Sequence, residues 1–271
     1  MSYSVKEIIK NRKSIRSFDG TLLRQEDQDS FAQYLRELDN PFGVPVEFRL
    51  LDASTAGLSS PVITGAGTYL AAKEERTGHY ELSLGYSFEK ACLYAASKGI
   101  GTVMLAASLN RAAFENAMEV KATEVMPVAS PVGYPAAKRS LRDALMRKGL
   151  KADERLPFEK PFFHDSFDKP LLQKDAGEYV DALEAVRWAP SATNRQPWRV
   201  VVAENDIHFY ELKSMKDSPL GDIQKVDIGI ALSHFDLCMT EDNIPGGFVF
   251  RDPEIPVPED VYYIVSWERA N

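Results

Sequence analysis

Apolar side chains recur along the chain with the spacings of helices and strands. Residues 29–38 and 178–188 carry apolar positions three and four residues apart, which predicts an amphipathic helix in each stretch. Residues 84–100 and 228–244 are apolar on nearly every face, which predicts two longer helices that are buried all round. Short apolar runs that begin at Val46, Glu124, Trp198 and Asp260 predict buried strands.

The predicted elements repeat in the same order in the two halves of the chain. SFDGTLLRQE, from Ser17, is matched by SFDKPLLQKD, from Ser166, and the two buried helices match without a gap at an offset of 144 residues. Internal similarity of this kind is typical of a duplicated unit. We therefore predict a tandem repeat over residues 1–137 and 161–271, whose halves pack on each other as an obligate dimer would. The charged, partly helical stretch at residues 138–160 is predicted to be a connecting arm.

The composition is that of an ordinary globular protein. The chain has 271 residues, of which 44% are hydrophobic and 27% charged, and its net charge is −8. That charge argues against a general nucleic-acid or membrane-surface binder. The N-terminus lacks the apolar region of a signal peptide, and no apolar run approaches the roughly 20 residues of a membrane span, so we expect a cytoplasmic protein.

Cysteines and histidines offer little chemistry. Cys92 and Cys238 stand singly in apolar stretches, and burial as small hydrophobic residues is favoured over a disulfide or a reactive thiol. The four histidines are scattered and show no metal-ligand spacing, so no metal site is predicted.

Two polar motifs differ between the halves. The first is RKSIR, which places Arg12, Lys13, Ser14 and Arg16 after the first predicted helix. Arginine forks and a serine hydroxyl are suited to phosphate. The counterpart of Arg16 in the second half is Asp165, which would repel an anion. Taken alone, RKSIR is more often only a solvated basic turn than an anion site.

The second motif, WAPSATNRQPW at residues 188–198, has the residue types of a loop that holds a flat polar ring. Its counterpart at residues 38–46 is shorter and lacks the serine, threonine and glutamine. The motif is also compatible with a capped helix end that leads into a strand. Because each half has lost what the other has kept, we expect one site with a wall from each half.

These residues resemble the nitroreductase family of FMN-dependent oxidoreductases. Arg12, Ser14 and Arg16 match the family's R-x-S-x-R, and residues 189–198 match its A-P-S-x-x-N-x-Q-P-W. KGIGTVML at residues 98–105 and PVGYPAAKR at residues 131–139 are similar to later family segments. The second motif lies in the second half here, which resembles a subfamily with two nitroreductase-like repeats fused in one chain.

The resemblance implies an α+β fold with a mixed, mainly antiparallel sheet, arranged as an intramolecular pseudo-dimer. Family dimers hold two FMN molecules at their interface, and each site takes its motifs from both subunits. For this chain the resemblance implies one intact FMN site and one lost site. It also implies a monomer, because the family's dimer interface would be internal.

The resemblance also implies roles for individual residues. Arg12, Lys13 and Ser14 would contact the phosphate or ribityl chain, with Lys138 or Arg139 closing that pocket, and Arg16 would lie near the flavin N1 and O2. Further ring contacts would come from the residues at the two later motifs: Met104, Leu105, Pro190, Ser191, Ala192, Asn194 and Gln196.

The activity implied is hydride transfer from NADH or NADPH through FMN to a small acceptor such as a nitroaromatic or a quinone. The flavin carries this chemistry, so no catalytic side chain is named. A flavin-binding protein that stores or senses FMN without turnover is the alternative. A scaffold without a cofactor is a third possibility, against which the retained Arg12, Ser14, Arg16 and Asn194 argue.

Overall fold

A computed structural model describes residues 4–54, 57–138, 140–204 and 206–270. Within them the helices are α1 (Val5–Asn11), α2 (Gln25–Glu37), α3 (Tyr80–Ser97), α4 (Arg111–Ala117), α5 (Leu141–Gly149), α6 (Val180–Trp188) and α7 (Ile223–Glu241). The strands are β1 (Glu47–Asp52), β2 (Thr68–Glu75), β3 (Gly101–Thr102), β4 (Glu124–Val125), β5 (Ala129–Gly133), β6 (Phe162–His164), β7 (Trp198–Ala203), β8 (Asp206–Leu212), β9 (Gly246–Val249) and β10 (Val261–Arg269).

The strands form two separate five-stranded sheets, one from each half of the chain. The first has the order β1-β2-β5-β3, with β4 also paired to β2, and all of its pairs are antiparallel. The second has the order β6-β7-β8-β10-β9, and only the β6–β7 pair is parallel. The fold is thus a mixture of helices and mainly antiparallel sheet, as the sequence predicts.

Helices α3 and α7 pack against each other at the centre of the molecule. Their contact is closest at Gly85 and Gly229, where the two backbones touch. A Cβ atom at Gly85 would overlap the carbonyl oxygen of Val226, and one at Gly229 would overlap that of Leu82. Only glycine permits an approach this close, so these two residues set the distance between the helices.

The predicted buried helices and strands are confirmed to within a few residues. The structure adds β2 and β8, which the hydrophobic pattern did not indicate. The second half of β2 carries Lys73 and Glu74, both only 3% exposed. Lys73 donates to Glu124 on β4 at 2.9 Å, and such tertiary partners are invisible in a local pattern.

Three further expectations from the sequence concern the cysteines, the charged arm and membrane-spanning helices. Cys92 and Cys238 are both free and buried, as predicted, and burial raises the pKa of each thiol to about 12. The charged arm contains a helix, α5, as expected from its pattern. None of the described helices is both long and apolar enough to cross a membrane.

The glycine contact generates a stability prediction. We expect Gly85→Ala to destabilise the protein by about 2 kcal/mol, because overpacking at the helix crossing outweighs the gain in helix propensity. The free energy of unfolding from urea titration measures this. Gly247→Ala is the matched control, since a Cβ there meets nothing within 4 Å and the change is expected to stay within about 0.5 kcal/mol. Equal stability of the two variants would mean that α3 and α7 are not in backbone contact.

Candidate functional site

A cavity of about 710 Å³ is lined by stretches of chain that are far apart in sequence. Its volume lies within the roughly 300–1000 Å³ typical of small-molecule sites. Its walls include residues from both halves and from the arm: residues 10–16, 103–111, 146–155, 188–194 and 215–230 contribute most of them.

Most of the residues predicted to contact a cofactor line this one cavity. Those that do are Arg12, Lys13, Ser14, Arg16, Met104, Leu105, Pro190, Ser191, Ala192 and Asn194. Lys138 is exposed and does not line it, and Gln196 is buried behind the loop. Arg139 lies outside the described residues.

The first motif reaches the cavity because it is held in an extended conformation after α1. The amide of Ile15 donates to the carbonyl oxygen of Thr102 on β3 at 2.9 Å. Alternate residues of an extended chain point to the same side, so Arg12, Ser14 and Arg16 face the cavity together. A Cβ at Gly101 would lie 2.9 Å from the side chain of Ile15, which explains the glycine beside this segment.

Arg12 is held by a buried carboxylate between the two central helices. Its Nε lies 3.1 Å from Oε1 of Glu89 on α3, and the same oxygen lies 3.0 Å from Nε2 of His234 on α7. Glu89 and His234 are almost completely buried. The ion pair therefore fixes the position of Arg12 at the junction of the two halves.

The arm brings two further guanidinium groups to the cavity, those of Arg147 and Arg155. Arg147 pairs with Asp153, whereas Arg155 has no carboxylate partner among the described residues. Arg155 donates instead to backbone carbonyl oxygens, among them that of Trp188 at 3.3 Å, and its guanidinium stacks 5.1 Å from the Trp188 ring centroid.

This end of the cavity holds more positive charge than the protein neutralises. Burial, followed by the charges of Arg12 and Arg187, lowers the pKa of the Arg155 guanidinium to about 10. The buried Nε atom of Arg155 has no hydrogen-bond partner among the described residues, whereas that of Arg12 faces Glu89. An anion would satisfy the Arg155 donor and relieve the repulsion between the guanidinium groups. Sequence reasoning missed Arg147 and Arg155, whose only signal was the density of basic residues in the arm.

The second motif forms a strained loop after α6. Thr193, Asn194 and Gln196 have φ values of 50°, 58° and 50°, in the left-handed region that non-glycine residues seldom occupy. Strain of this kind persists where the surroundings enforce it, and it concentrates at functional sites. Here the amide of Gln196 donates to Oγ of Ser191 at 2.9 Å, and the amide of Ala192 donates to the carboxylate of Asp227 at 3.0 Å.

The arm fastens this loop through the side chains of Asn194 and Gln196. Nδ2 of Asn194 donates to the carbonyl oxygens of Lys151 and Glu154, at 2.8 and 3.1 Å. Oε1 of Gln196 accepts from the amide of Leu156 at 2.9 Å. The resemblance implies that Asn194 contacts the flavin ring, and its side-chain amide has one donor group and one acceptor. In this structure the donor is committed to the arm, which leaves Oδ1 as the free group.

Two acidic residues modify the charge of the remaining wall. Oδ1 of Asp143, on α5, lies 3.2 Å from Nη1 of Arg16, so that guanidinium is partly neutralised. Asp227, on α7, is 3% exposed and lines the cavity. Burial raises the pKa of the Asp227 carboxyl well above its usual range, against the opposing hydrogen bond from Ala192. Burial thus favours the protonated form of this carboxyl more than in an exposed aspartate.

Most of the chain is similar to known nitroreductases. Residues 4–239 match the profile of the protein family described as "Putative TM nitroreductase". A solved "putative nitroreductase" from Thermotoga maritima is 19% identical, with a TM-score of 0.65 over 99% of this chain and 94% of that one. At this identity the likeness shows the fold. No curated protein matches the sequence.

Two shorter solved proteins resemble about half of the chain. One is a "Putative NADH dehydrogenase/NAD(P)H nitroreductase" from Bacteroides thetaiotaomicron, 21% identical, with a TM-score of 0.43 over 52% of this chain and 91% of that one. The other is an "FMN-dependent Nitroreductase" from Clostridium difficile, 12% identical, with a TM-score of 0.40 over 49% and 88%. The family match alone covers most of the sequence. The chain therefore belongs to this nitroreductase family.

Proposed function

We propose that this protein is an FMN-dependent oxidoreductase that passes hydride from NADH or NADPH to a small acceptor such as a nitroaromatic or a quinone. One observation carries the proposal: the segment at residues 12–16 and the loop at residues 190–194 line a single cavity. These are the two motifs on which the resemblance to FMN-dependent nitroreductases rests.

The phosphate of FMN would be held at the guanidinium cluster. Arg12 is fixed there by Glu89, and Arg155 contributes a buried Nε that lacks a partner among the described residues. Arg147 adds a third positive charge. These groups fit a phosphate better than the exposed Lys138 does, so we assign Arg155 and Arg147 the role that the sequence suggested for Lys138 or Arg139.

The ring of FMN would lie along the wall formed by the strained loop. Pro190, Ser191 and Ala192 would pack against the ring without donating to it from the Ala192 amide, because that amide already donates to Asp227, and the hydroxyl of Ser191 already accepts from Gln196. Oδ1 of Asn194 and the guanidinium of Arg16 would supply polar contacts. Met104 and Leu105 line the cavity from the first half and would pack against the flavin.

When bound, FMN would supply the hydride chemistry, accepting from a nicotinamide and donating to the acceptor. The chain's own task is to bind and orient. Arg16 would stabilise negative charge on the reduced ring, and its pairing with Asp143 moderates that effect. Burial raises the pKa of Asp227, which limits the negative charge that this wall presents to a reduced ring. No side chain is proposed to act as a catalytic acid or base.

We further propose that the two halves are tandem repeats arranged as a pseudo-dimer. The reciprocal contact of α3 and α7 supports this. Gly85 approaches Val226, and Gly229 approaches Leu82. Gly229 lies 144 residues after Gly85, and Val226 lies 144 residues after Leu82, so the same contact is made twice with the two halves exchanged. Such reciprocal contacts are typical of two-fold interfaces. The units would be residues 1–137 and 161–271, joined by the arm at residues 138–160.

Aromatic side chains support the loss of the second site. At the same offset, Met104 and Ala106 correspond to Phe248 and Phe250. Phe42, from the shortened loop of the first half, packs with ring centroids 5.6 Å from Phe248 and 6.2 Å from Phe250. Rings would therefore fill the space that a second flavin needs, and the pseudo-dimer would act as a monomer with one FMN.

The stoichiometry of released flavin tests this arrangement. We expect about one FMN per chain in the purified, FMN-saturated protein, because one site retains its cations and the other is filled by aromatic side chains. Absorbance of the flavin after denaturation, divided by the protein concentration, gives the number. Two FMN per chain would contradict the loss of the second site, and none would contradict the proposed function.

The guanidinium cluster is tested by Arg155→Met. We expect this change to weaken FMN binding by roughly 10-fold to 100-fold, because a charge-assisted contact to the phosphate is lost. Fluorescence titration of the apoprotein with FMN measures the Kd. Lys138→Met is the control and is expected to bind as the unaltered protein does. Circular dichroism separates lost binding from lost folding, and equal Kd values for two folded variants would remove Arg155 from the site.

Turnover is tested by anaerobic mixing of the FMN-loaded protein with NADPH or NADH. We expect the flavin absorbance near its visible maximum to bleach, and to recover when a nitroaromatic or quinone is added. The physical reason is that the proposed site holds the ring beside Arg16, whose positive charge would stabilise the reduced flavin. A flavin that stays oxidised would favour the storage or sensing alternative over the reductase.

A further inference from the structure

The cavity is also lined by cationic side chains outside the guanidinium cluster. Cationic side chains that line it without a salt bridge among the described residues are Lys10, Lys13, Arg111, Arg155 and Lys216. The chain as a whole carries a net charge of −8, so this concentration of unpaired cations is local. The other four cations lie near the guanidinium cluster or contact backbone carbonyl oxygens, whereas Lys216 does neither.

Three of these cations lie near Arg12, at the end of the cavity proposed to hold the phosphate, and a fourth donates to backbone carbonyl oxygens. Lys10 and Lys13 flank Arg12 along the chain, and Arg155 lies close enough to Arg12 for their charges to interact. Arg111 points its guanidinium at backbone carbonyl oxygens, including that of Ala106 at 2.6 Å. Lys216 lies in the loop before α7 and contacts none of these groups.

Helix α7 separates Lys216 from the phosphate end. Glu89 joins Arg12 to His234, near the middle of α7. The loop at residues 213–222 meets the same helix at its start, where Lys213 contacts Asp222. Twelve residues separate Asp222 from His234, which is about 18 Å along the helix axis. Lys216 and Arg12 therefore mark opposite ends of the cavity.

The loop that carries Lys216 is firmly built. Oε1 of Gln224 accepts from the amides of Ser214 and Met215 at 2.8 and 2.6 Å. Lys213 bridges two carboxylates of the loop and of the start of α7, Asp217 and Asp222. Lys216 is thus presented from a braced segment rather than from a freely moving chain.

The surroundings of Lys216 leave its charge available to a ligand. Met215 and Leu220 line the cavity beside it and offer apolar surface. Asp217 and Asp222 both contact Lys213, and burial raises the pKa of Asp227 well above its usual range. An ammonium group flanked by apolar side chains suits a planar molecule that carries an anionic substituent.

Resting on the proposed function, we propose that Lys216 recognises an anionic group on the molecule that meets the flavin ring, so that the site prefers charged substrates to neutral ones of the same shape. The anion is a carboxylate of the acceptor or the additional phosphate that distinguishes NADPH from NADH. Both present oxygen anions to an ammonium group, and the two sources can be separated experimentally.

The experiment uses the FMN-loaded protein and two matched pairs of substrates. One pair is 4-nitrobenzoate and the neutral 4-nitrobenzamide, and the other is NADPH and NADH. We expect Lys216→Met to lower kcat/KM for the charged member of one pair about threefold to fivefold relative to its partner, and Lys216→Glu to lower it more. Lys174→Met, at an exposed lysine outside the cavity, is the control and should change neither ratio.

The two pairs also identify the source of the anion. A changed nitrobenzoate ratio assigns Lys216 to the acceptor, and a changed NADPH ratio assigns it to the donor. Unchanged ratios in both pairs overturn the proposal. An equal loss for charged and neutral substrates, together with a shifted flavin midpoint potential, also overturns it, because Lys216 would then act on the flavin. If the protein binds no FMN, the proposed function is wrong. Measuring the flavin content before the kinetic experiment distinguishes this outcome from a failure of the Lys216 proposal alone.

Discussion

The backbone contact between α3 and α7 determines where the chemistry of this protein can occur. Two glycines let the helices touch, and that distance places Glu89 of one helix against His234 of the other. Arg12 then finds its carboxylate partner at the junction. Larger residues at the crossing would move the two halves apart, and with them the two walls of the cavity.

The arm at residues 138–160 forms a further part of the cavity wall. It supplies Arg147 and Arg155 to one end of the cavity, and its backbone carbonyl oxygens bind the amide of Asn194. It also carries Asp143 to Arg16. A connecting segment that is merely charged in sequence therefore acts as a third wall, and it stabilises the left-handed residues of the loop at residues 190–194.

The charges in the cavity are arranged in order along α7. At one end, burial and then the charges of Arg12 and Arg187 lower the pKa of Arg155, an arrangement that an anion would stabilise. Along the middle, burial raises the pKa of Asp227 well above its usual range. At the start of the helix, Lys213 contacts both Asp217 and Asp222, and Lys216 has no salt bridge among the described residues. A long ligand with a phosphate at one end and a flat ring at the other matches this order.

The sequence by itself determined the elements and the ingredients of the site. Periodicity predicted α3, α7 and the buried strands, because apolar spacing reflects burial directly. The motifs at residues 12–16 and 188–198 identified two of the stretches that line the cavity, because their side-chain chemistry is local. The tertiary structure alone decided that Arg155, and not Lys138, lines the cavity with Arg12, and that the amide of Asn194 donates to the arm. Those outcomes depend on contacts between residues more than 40 positions apart along the chain, and no local pattern encodes such distances.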